Sequence, residues 1–389
     1  MANETPESRT EIARSLAEQR AQRIGKLEQW RADGVDPFGG ALRREETAAT
    51  SEVLQRFEEA GDDGDVTATV AGRLTAMRTM GKSIFADVKD EAGRIQVYAK
   101  RNILGDEKFA AFKRLDIGDI VCVSGSLFRT RMGEVTVKVE RFELASKALR
   151  PLPEKWHGLT DVEQRYRQRY LDLISNDDVR QVFKQRSRVM RGLRHFLDGR
   201  GFMEVETPML QPIPGGAAAR PFETYYAALD SPMYLRIAPE LFLKRLLVGG
   251  FERVYEINRN FRNEGLSRRH NPEFTMLEVY EAYSDCAGMM ALLESLITTV
   301  TEEVFGTLSI PFGEDTIDLS PPWRRVPYET LVREHFGADW YDTDPGERRR
   351  RASGEGLQLP QDADTVHATH EAYEKLIEPT LVQPTFVTR

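Results

Sequence analysis

Residues 251–283 read FERVYEINRNFRNEGLSRRHNPEFTMLEVYEAY and contain the pattern from which the fold of this chain follows. Two segments rich in β-branched and aromatic residues, ERVYEINRNF and TMLEVYEAY, predict strands on either side of a charged loop. A simple hairpin turn uses about two to five residues, usually with Gly or Asn. The longer, charged loop between these strands therefore indicates a binding site, for which an anionic ligand is the natural candidate.

The loop and its flanks carry side chains that suit a nucleotide. Arg262 follows the first strand, where a guanidinium can hold a phosphate or carboxylate in bidentate geometry. Glu264 can accept a hydrogen bond from a base amino group, and Phe274 offers a face for an aromatic heterocycle. The polar set of the loop is completed by Arg268, Arg269, His270 and Asn271. From the residues alone, surface ion pairs and a hydrogen-bonded structural His270 are the alternative interpretation.

The returning strand places two further polar side chains on one face. Glu278 and Tyr280 are two residues apart, so an extended strand presents both on the same side. A carboxylate beside a phenol suits an ammonium group. Glu240 follows Pro239 at the predicted start of a helix, where it either joins this site or only complements the helix dipole.

Upstream, the hydrophobic pattern changes to the alternation typical of strands. Strands are predicted at VTATVAGRL, which begins at Val66, and at SIFADVKD, RIQVYAK, DIVCVSGSLFRT and EVTVKVERFEL. A helix is expected near Glu107 to Leu115, between the third and fourth strands. This order is that of an OB-fold barrel, which binds oligonucleotides, with another small barrel as the alternative.

The distribution of charge is more informative than its sum. The 389-residue chain has 54 Lys and Arg against 62 Asp and Glu, a net charge of −8 that by itself argues against a nucleic-acid partner. Residues 66–150 nevertheless hold 16 basic and 10 acidic side chains, so this segment carries +6 and the remainder −14. Binding of single-stranded RNA needs basic and aromatic groups, and the segment supplies both, among them Arg78 and Phe85.

The rest of the chain predicts an N-terminal helix and an α+β unit. The helix, from Ile12 to Trp30, has basic residues that either face solvent or contact phosphates. These are Arg14, Arg20, Arg23, Lys26 and Arg31. After the Pro-rich connector ALRPLPEKWHGL, a long helix from Val182 to Gly199 leads into the strand FMEVETPML and an antiparallel α+β pattern. The length predicts two or perhaps three domains.

The cysteines and the N-terminus favour a cytoplasmic protein without a membrane segment. Cys122 and Cys286 show no CxxC or Cys/His spacing, so neither a disulfide framework nor a structural zinc site is implied. His367 and His370 have helical spacing but lack a third ligand, which makes a zinc site a poor alternative. The N-terminus is charged from Glu4 onward, and no apolar run approaches the ~18 residues of a membrane helix.

Several of these segments resemble one known family. GRGFMEVETPML resembles motif 1 of the class II aminoacyl-tRNA synthetases, and FRNEGLSRRHNPEFTMLEVYEAY resembles their motif 2. The segments PGGAAARPF, YLRIAPELFLKRLLVGGFERVYEINRNFRNEG and QPTFVT are most similar to the lysyl-tRNA synthetases within that class. The resemblance covers nearly the whole chain. It implies three regions, namely an N-terminal basic helix and linker (1–65), an OB-fold anticodon-binding domain (66–148) and a catalytic domain (149–389).

The resemblance implies a role for individual residues. Arg262 would contact the α-phosphate of ATP and the amino-acid carboxylate. ATP would also be bound by Glu264, His270, Asn271 and Phe274. Lysine would be bound by Gly216, Glu240, Glu278 and Tyr280. Anticodon bases would be read by Arg78, Phe85 and Gln96, and the basic N-terminal helix would contact the tRNA backbone.

The resemblance also implies partners and a limit. Lysine, ATP, Mg²⁺ and tRNA(Lys) are the expected ligands, and a homodimer is the expected assembly. The family's motif 3 and its acidic magnesium ligands would lie beyond Arg389, so we expect the chain as written to lack the C-terminal part of the catalytic domain. We also expect that it cannot complete the adenylation site alone.

Three alternatives stay open at this point. Aspartyl- and asparaginyl-tRNA synthetases share the architecture, although an aspartate pocket needs Lys or Arg where this chain has Glu240 and Glu278. A non-catalytic tRNA-binding protein would use residues 1–150 only. An amino-acid ligase that modifies a protein is disfavoured, because such relatives lack the N-terminal barrel.

Overall fold

The computed structural model describes residues 6–38, 46–62, 64–152, 159–265, 267, 270–359 and 364–389, with side chains from residue 14 onward. Within these residues the chain divides into two compact units, Met1–Asp177 and Asp178–Arg389. The boundaries predicted from the sequence, after 65 and after 148, stay predictions. No helix in the described part of the chain is long and apolar enough to cross a membrane.

The first unit is built on a closed barrel. Its helices are α1 (Pro6–Ala32), α2 (Thr50–Ala60), α3 (Arg101–Lys113), α4 (Val162–Arg167) and α5 (Arg169–Ser175). Its strands are β1 (Thr67–Met80), β2 (Ser83–Lys89), β3 (Arg94–Lys100), β4 (Ile120–Arg129) and β5 (Val135–Ser146). The strand order is β1-β2-β3-β5-β4, closed by β1 against β4, which confirms the predicted OB-fold with its helix between the third and fourth strands.

The barrel closes because its inward-facing residues are apolar and because a glycine occupies the point where β4 approaches β5 most tightly. Alternate residues of every strand are buried, for instance Ile84, Ala86 and Val88 along β2. At Gly125 a Cβ atom would lie 1.8 Å from the Lys138 carbonyl oxygen of β5, so this close approach excludes any side chain. Helix α3 begins earlier than predicted and is kinked at Gly105, where φ is +79°.

A buried ion cluster connects helix α1 to one end of the barrel. The Lys147 ammonium is fully buried and lies 2.9 Å from Asp119 and 2.6 Å from Asp116. Lys26 of α1 approaches the other oxygen of Asp116 at 2.6 Å. Burial by itself would raise the pKa of Asp116, but its hydrogen bonds to Lys147 and Lys26 lower that pKa below the ordinary value. Helix α1 is thus held to the barrel by charge as well as by buried Trp30.

The second unit is a mixed α+β structure. Its helices are α6 (Asp177–Gly199), α7 (Glu240–Val248), α8 (Cys286–Phe305), α9 (Tyr328–Phe336), α10 (Pro345–Gly354) and α11 (Thr365–Ala372). Its first strands are β6 (Met203–Glu204), β7 (Leu210–Gln211), β8 (Glu223–Tyr226), β9 (Ser231–Leu235), β10 (Arg253–Phe261) and β11 (Glu273–Glu281). The remaining strands are β12 (Ser309–Phe312), β13 (Asp315–Asp318), β14 (Arg324–Pro327) and β15 (Thr385–Thr388).

The central sheet of this unit is the predicted hairpin with one additional strand. β10 and β11 pair antiparallel along their full length, and β6 pairs parallel to β10. Only part of the predicted strand FMEVETPML lies in this sheet, because β6 ends at Glu204 and β7, from Leu210, pairs with β9 in a separate sheet. Pro208 lies in the gap, where it cannot donate a backbone hydrogen bond.

Two hydrophobic cores support the unit. One face of the hairpin packs with α6 and α8 in a cluster that includes Leu197, Tyr255 and Leu296. Val182 and Phe183 of α6 are apolar but exposed. A second core surrounds the fully buried Trp340 among α9, α11 and the following residues. It lies beside the parallel pair of β14 and β15.

Replacing Lys147 by Met is expected to destabilise the barrel by about 3 to 5 kcal/mol, because Asp119 would be left as an uncompensated buried charge. The measurement is native-state amide hydrogen exchange in peptides from β4 and β5, at increasing urea. Arg101→Met is the matched control, since it removes an exposed cation paired only with Asp106 on the same barrel. Equal loss of protection in the two variants would contradict a structural role for the buried cluster.

Candidate functional sites

The two faces of the β10–β11 hairpin have different compositions. Cross-strand partners share a face, and one face carries the pairs Glu256 with Glu278, Asn258 with Met276, Asn260 with Phe274, and Val254 with Tyr280. The opposite face carries Tyr255, Ile257, Leu277 and Val279, which pack against the helices. The polar face is therefore left for ligands, as the two-residue period of the sequence predicts for Glu278 and Tyr280.

A buried ion pair forms the floor of the polar face. Arg236, which directly follows β9, is 0% exposed and Glu256 is 1% exposed. The Arg236 Nη1 atom donates to the Glu256 carboxylate at 2.7 Å and to the Thr207 hydroxyl at 3.0 Å. Thr207 in turn donates its hydroxyl proton to Glu256 at 2.7 Å. Three separate segments, at residue 207, residue 236 and strand β10, therefore meet in one hydrogen-bonded group.

At one end of the face, Arg262 lies over the ring of Phe274. The guanidinium carbon is 5.2 Å from the ring centroid, a distance compatible with a cation–π contact. The Arg262 amide donates to the Pro272 carbonyl at 2.9 Å, which holds the base of the long loop closed. Both side chains are only half-buried, so a phosphate could reach the guanidinium and a heterocycle could reach the ring.

The loop beyond Arg262 presents its remaining polar groups to solvent. Glu264, His270 and Asn271 are exposed, and His270 Nδ1 lies 3.3 Å from the Ser267 hydroxyl. The Asn263 amide donates to the Arg220 carbonyl at 2.7 Å, which ties the loop to the segment before β8. Arg268 and Arg269 lie outside the described residues.

Further along the face, Glu278 and Tyr280 form the predicted acceptor pair. The Tyr280 hydroxyl donates to the Glu278 carboxylate at 2.9 Å. Burial raises the pKa of Glu278, and the charges of Glu240 and Glu256 raise it further, against the opposing effects of Tyr280 and Arg236. Burial and the neighbouring carboxylates also raise the pKa of Tyr280 above its usual range, so its phenol stays protonated. A cation placed here would meet one carboxylate and one neutral hydroxyl.

Helix α7 brings Glu240 to the same region. Glu240 begins the helix directly after Pro239, as predicted, and its carboxylate lies 2.5 Å from the Lys244 ammonium one turn later. Gly216 has φ +88°, and a Cβ atom there would lie 3.0 Å from Glu240 Cβ and 3.2 Å from Ala238 Cβ. Glycine is thus required both for the backbone conformation and for the close approach to the start of α7.

The arrangement places a cation and an aromatic ring at one end of the sheet face and carboxylates with a phenol at the other, so the two ends are candidate anion-binding and cation-binding ends. Arg262 and Phe274 suit a nucleotide phosphate and base, whereas Glu240, Glu278 and Tyr280 suit an ammonium group. Bringing two such substrates together is catalysis by positioning and does not require a titrating base. The residues that the sequence reasoning missed are Thr207, Arg236 and Glu256. A signal was present, since Arg236 lies between apolar residues in YLRIA and Glu256 in VYEIN.

The barrel carries a separate candidate surface for nucleic acid. Arg78 of β1 is the register partner of Phe85 of β2, and Phe85 is in turn the partner of Tyr98 of β3. The rings of Phe85 and Tyr98 lie 4.7 Å apart, and Phe128 follows at 5.9 Å from Tyr98. Arg78 is exposed and the rings are half-buried, so unstacked bases can reach an aromatic row beside a cation. Phe128 was not singled out from the sequence.

Gln96 is placed differently from Arg78 and Phe85. It is buried, accepts a hydrogen bond from the Thr136 hydroxyl at 2.9 Å and donates to the Glu134 carboxylate at 2.8 Å. Arg94 bridges Asp87 and the same Glu134. The amide of Gln96 is therefore already engaged within the barrel, and contact with a base would require it to exchange these partners.

The basic residues of α1 are divided between structure and solvent. Arg23 donates to the carbonyls of Ala148 and Arg150, both at 3.1 Å, and Lys26 belongs to the buried cluster. Arg14 and Arg31 pair with glutamates of the same helix. Arg20 is exposed. A phosphate-contacting role for this helix stays a prediction.

Among the described residues, no group of three or more His, Cys, Asp or Glu is arranged to hold a metal ion. Of the two histidines with helical spacing, His370 lies 3.3 Å from Glu374.

Comparison with known proteins places these features in families. A family model described as tRNA synthetases class II (D, K and N) matches residues 161–389, and one described as an OB-fold nucleic acid binding domain matches residues 68–145. The chain is 53% identical to a lysine–tRNA ligase of Pelotomaculum thermopropionicum, over 93% of this chain and 71% of the relative. It is 52% identical to that of Carboxydothermus hydrogenoformans, over 94% and 74% of the two chains. It is 48% identical to that of Bacillus subtilis, over 96% and 75%.

Replacing Gly216 by Ala is expected to destabilise the second unit by about 1 to 3 kcal/mol, through backbone strain and the displacement of Glu240. The measurement is amide exchange in α7, which should accelerate. Gly250→Ala provides the control, because Gly250 follows α7 with φ +99° and has no atom within 4 Å of a built Cβ. If both variants accelerate exchange equally, the close contact with Glu240 contributes nothing beyond the strain.

Proposed function

The chain belongs to the class II lysine–tRNA ligase family, and we propose that it binds lysine, ATP and tRNA(Lys) for the attachment of lysine to the tRNA. The observation that carries the assignment of the substrate site is the acidic end of the hairpin face, where Glu240, Glu278 and Tyr280 meet. The family and fold predicted from the sequence are confirmed by the comparisons. The roles of individual residues are part of this proposal.

In the proposed reaction the lysine carboxylate attacks the α-phosphorus of ATP, pyrophosphate leaves, and lysyl-adenylate forms. Arg262 would contact both the α-phosphate and the attacking carboxylate and would reduce the repulsion between these two anions. In the second step of the proposed reaction, the lysyl group is transferred from the adenylate to the 3′ end of the tRNA, and AMP is released. Phe274 would lie under the adenine, with Glu264, His270 and Asn271 around the nucleotide.

The lysine itself would be held by the cation-binding end. Glu240 and the backbone at Gly216 would bind the α-ammonium group, and Glu278 with Tyr280 would line the side-chain pocket. Aspartate or asparagine fits this end poorly, because a carboxylate would face Glu278 and an amide would leave charge unpaired. This chemistry favours lysine over the other amino acids of the D, K and N group.

The assembly, the cellular location and the metal ion are expectations that come from the family. We infer a homodimer and a cytoplasmic location, as in translation enzymes. Mg²⁺ is implied by the resemblance, but the described residues offer no cluster of three acidic or histidine ligands that fits it. No step is therefore assigned to a metal ion here.

Equilibrium dialysis with radiolabelled lysine, aspartate and asparagine tests the substrate assignment. Lysine is expected to bind most tightly, and Glu278→Gln to raise its Kd about tenfold to a hundredfold, because a hydrogen bond to a charged group contributes about 1.5 to 3 kcal/mol. Glu281→Gln is the matched control, since Glu281 lies on the opposite face of β11 in an ion pair with Arg253. Tighter binding of aspartate, or equal effects of the two variants, would overturn the assignment.

Binding of tRNA(Lys) tests the barrel surface. Phe85→Ala is expected to weaken binding about 5- to 100-fold through lost base stacking, whereas Phe85→Leu should recover little of it. Arg78→Ala should reduce the salt dependence of binding. Arg101→Ala, which removes an exposed cation that is paired with Asp106 in α3, serves as the control. Filter-binding titrations at several salt concentrations give both quantities, and an unaltered Kd for Phe85→Ala would exclude this surface.

A further inference from the structure

The buried Arg236 has no role among the proposed substrate contacts, although it is the most heavily bonded side chain near them. Its Nε atom donates to the Arg259 carbonyl at 2.9 Å, and its Nη1 atom donates to Thr207 and Glu256. The side chain is completely excluded from solvent. It cannot touch a ligand directly without a rearrangement of the floor, so any effect on binding must act through its neighbours.

The most direct effect of Arg236 on the polar face is electrostatic and acts across the β10–β11 hairpin. Glu256, the ion-pair partner of Arg236, is the direct cross-strand partner of Glu278 on the polar face. Glu278 therefore interacts electrostatically with the carboxylates of Glu240 and Glu256 and with the guanidinium of Arg236, while Glu240 is itself paired with Lys244 at 2.5 Å. Within the described part of the chain, the Nη2 atom of Arg236 has no hydrogen-bond partner. The guanidinium is thus fixed by hydrogen bonds at Nε and Nη1, and the carboxylate of Glu256 is its paired charge.

We propose that Arg236 is a positioning residue for amino-acid binding, whose fixed positive charge keeps Glu278 ionised and able to accept a hydrogen bond from the substrate ammonium group. This inference rests on the proposed function for the substrate, but its effect on Glu278 exists without any ligand. Arg236 also orients Glu256 through the shared Thr207, which keeps the negative charge of Glu256 paired and directed towards the floor.

The charged and titratable neighbours of Glu278 define the direction of the effect. They are Glu240 at the start of α7, Glu256 on β10, Tyr280 on β11 and Arg236 after β9. The first two carboxylates disfavour ionisation of Glu278, and the hydrogen bond from Tyr280 and the charge of Arg236 favour it. Removing the charge of Arg236 would leave three carboxylates without a buried cation. Glu278 would then hold its proton to higher pH, and a protonated carboxyl is a poor acceptor for an ammonium group.

Titration of the Glu278 carboxyl in the ligand-free chain tests the proposal directly. Glutamate labelled with ¹³C at the carboxyl carbon is followed by NMR, and the Glu278 signal is identified by its loss in Glu278→Gln. Arg236→Gln should move the titration midpoint upward, whereas Arg236→Lys should leave it near the wild-type position. Arg253→Gln, which removes a cation from the opposite face of β10, should leave the midpoint unchanged. An unchanged midpoint in Arg236→Gln would overturn the proposal.

A second comparison covers the case in which Arg236→Gln fails to fold because Glu256 is left unpaired. Glu256→Gln removes the orphaned charge, and the double variant Arg236→Gln, Glu256→Gln removes both members of the pair. The Glu278 midpoint should be higher in the double variant than in Glu256→Gln alone, since the two differ only by the charge at Arg236. Equal midpoints would exclude an electrostatic role and leave a packing role only.

The consequence for binding follows from the sign of this shift. Lysine binding needs ionised Glu278, so it is present above the pKa of Glu278 and is lost as the pH falls through that value. In Arg236→Gln the loss should occur at higher pH, so the lysine Kd should be raised more strongly at pH 6 than at pH 8.5. A packing defect would weaken binding equally at both pH values. Absence of lysine binding in the wild-type chain would contradict the proposed function, while the ligand-free titration would still decide the role of Arg236.

Discussion

The ion pair between Arg236 and Glu256 is the interaction on which the second unit depends. It joins the residue that follows β9, strand β10 and the segment around Thr207, which are distant in sequence. A buried pair is a weak source of net stability, because desolvation offsets most of the attraction. Removing one partner is nevertheless expected to cost about 3 to 5 kcal/mol, since the other charge would stay buried without compensation. The main contribution of the ion pair is therefore to define how the three segments pack together, and its contribution to the net stability of the unit is small.

This specification matters because the side chains proposed to bind ligands lie on α7, on β11 and in the loop after β10, which adjoin these three segments. Arg262 and Phe274 lie at the loop end of the hairpin, and Glu278 and Tyr280 lie further along β11. Glu240 arrives from α7, against the backbone of Gly216. A shift of β11 by one residue against β10 would turn Glu278 and Tyr280 towards α6 and α8 and would bring apolar side chains of β11 onto the polar face. Binding and activation by positioning both require that the register stays fixed.

The barrel contains a separate set of charged residues, which are divided between its interior and its surface. Its net positive charge is hidden in the total of −8, and part of it is used internally, by the buried Lys147. Exposed Arg78 is the register partner of Phe85 in the row of rings that continues through Tyr98 and Phe128, and this row is the surface proposed for nucleic-acid binding. Counting charged residues therefore overestimates the surface that can meet phosphates, because burial and internal pairing are invisible in a count.

The sequence by itself determined the two folds, the hairpin with its charged loop, the side of β11 on which Glu278 and Tyr280 lie, and the family to which the chain belongs. These follow from local periodicity, turn chemistry and motif spacing, which act over a few residues. It did not reveal that Arg236, Glu256 and Thr207 form one buried group, that Gln96 is already hydrogen-bonded, or that Val182 and Phe183 are exposed. Only the tertiary structure decided these points, because the burial and pairing of a side chain depend on segments that are far apart along the chain.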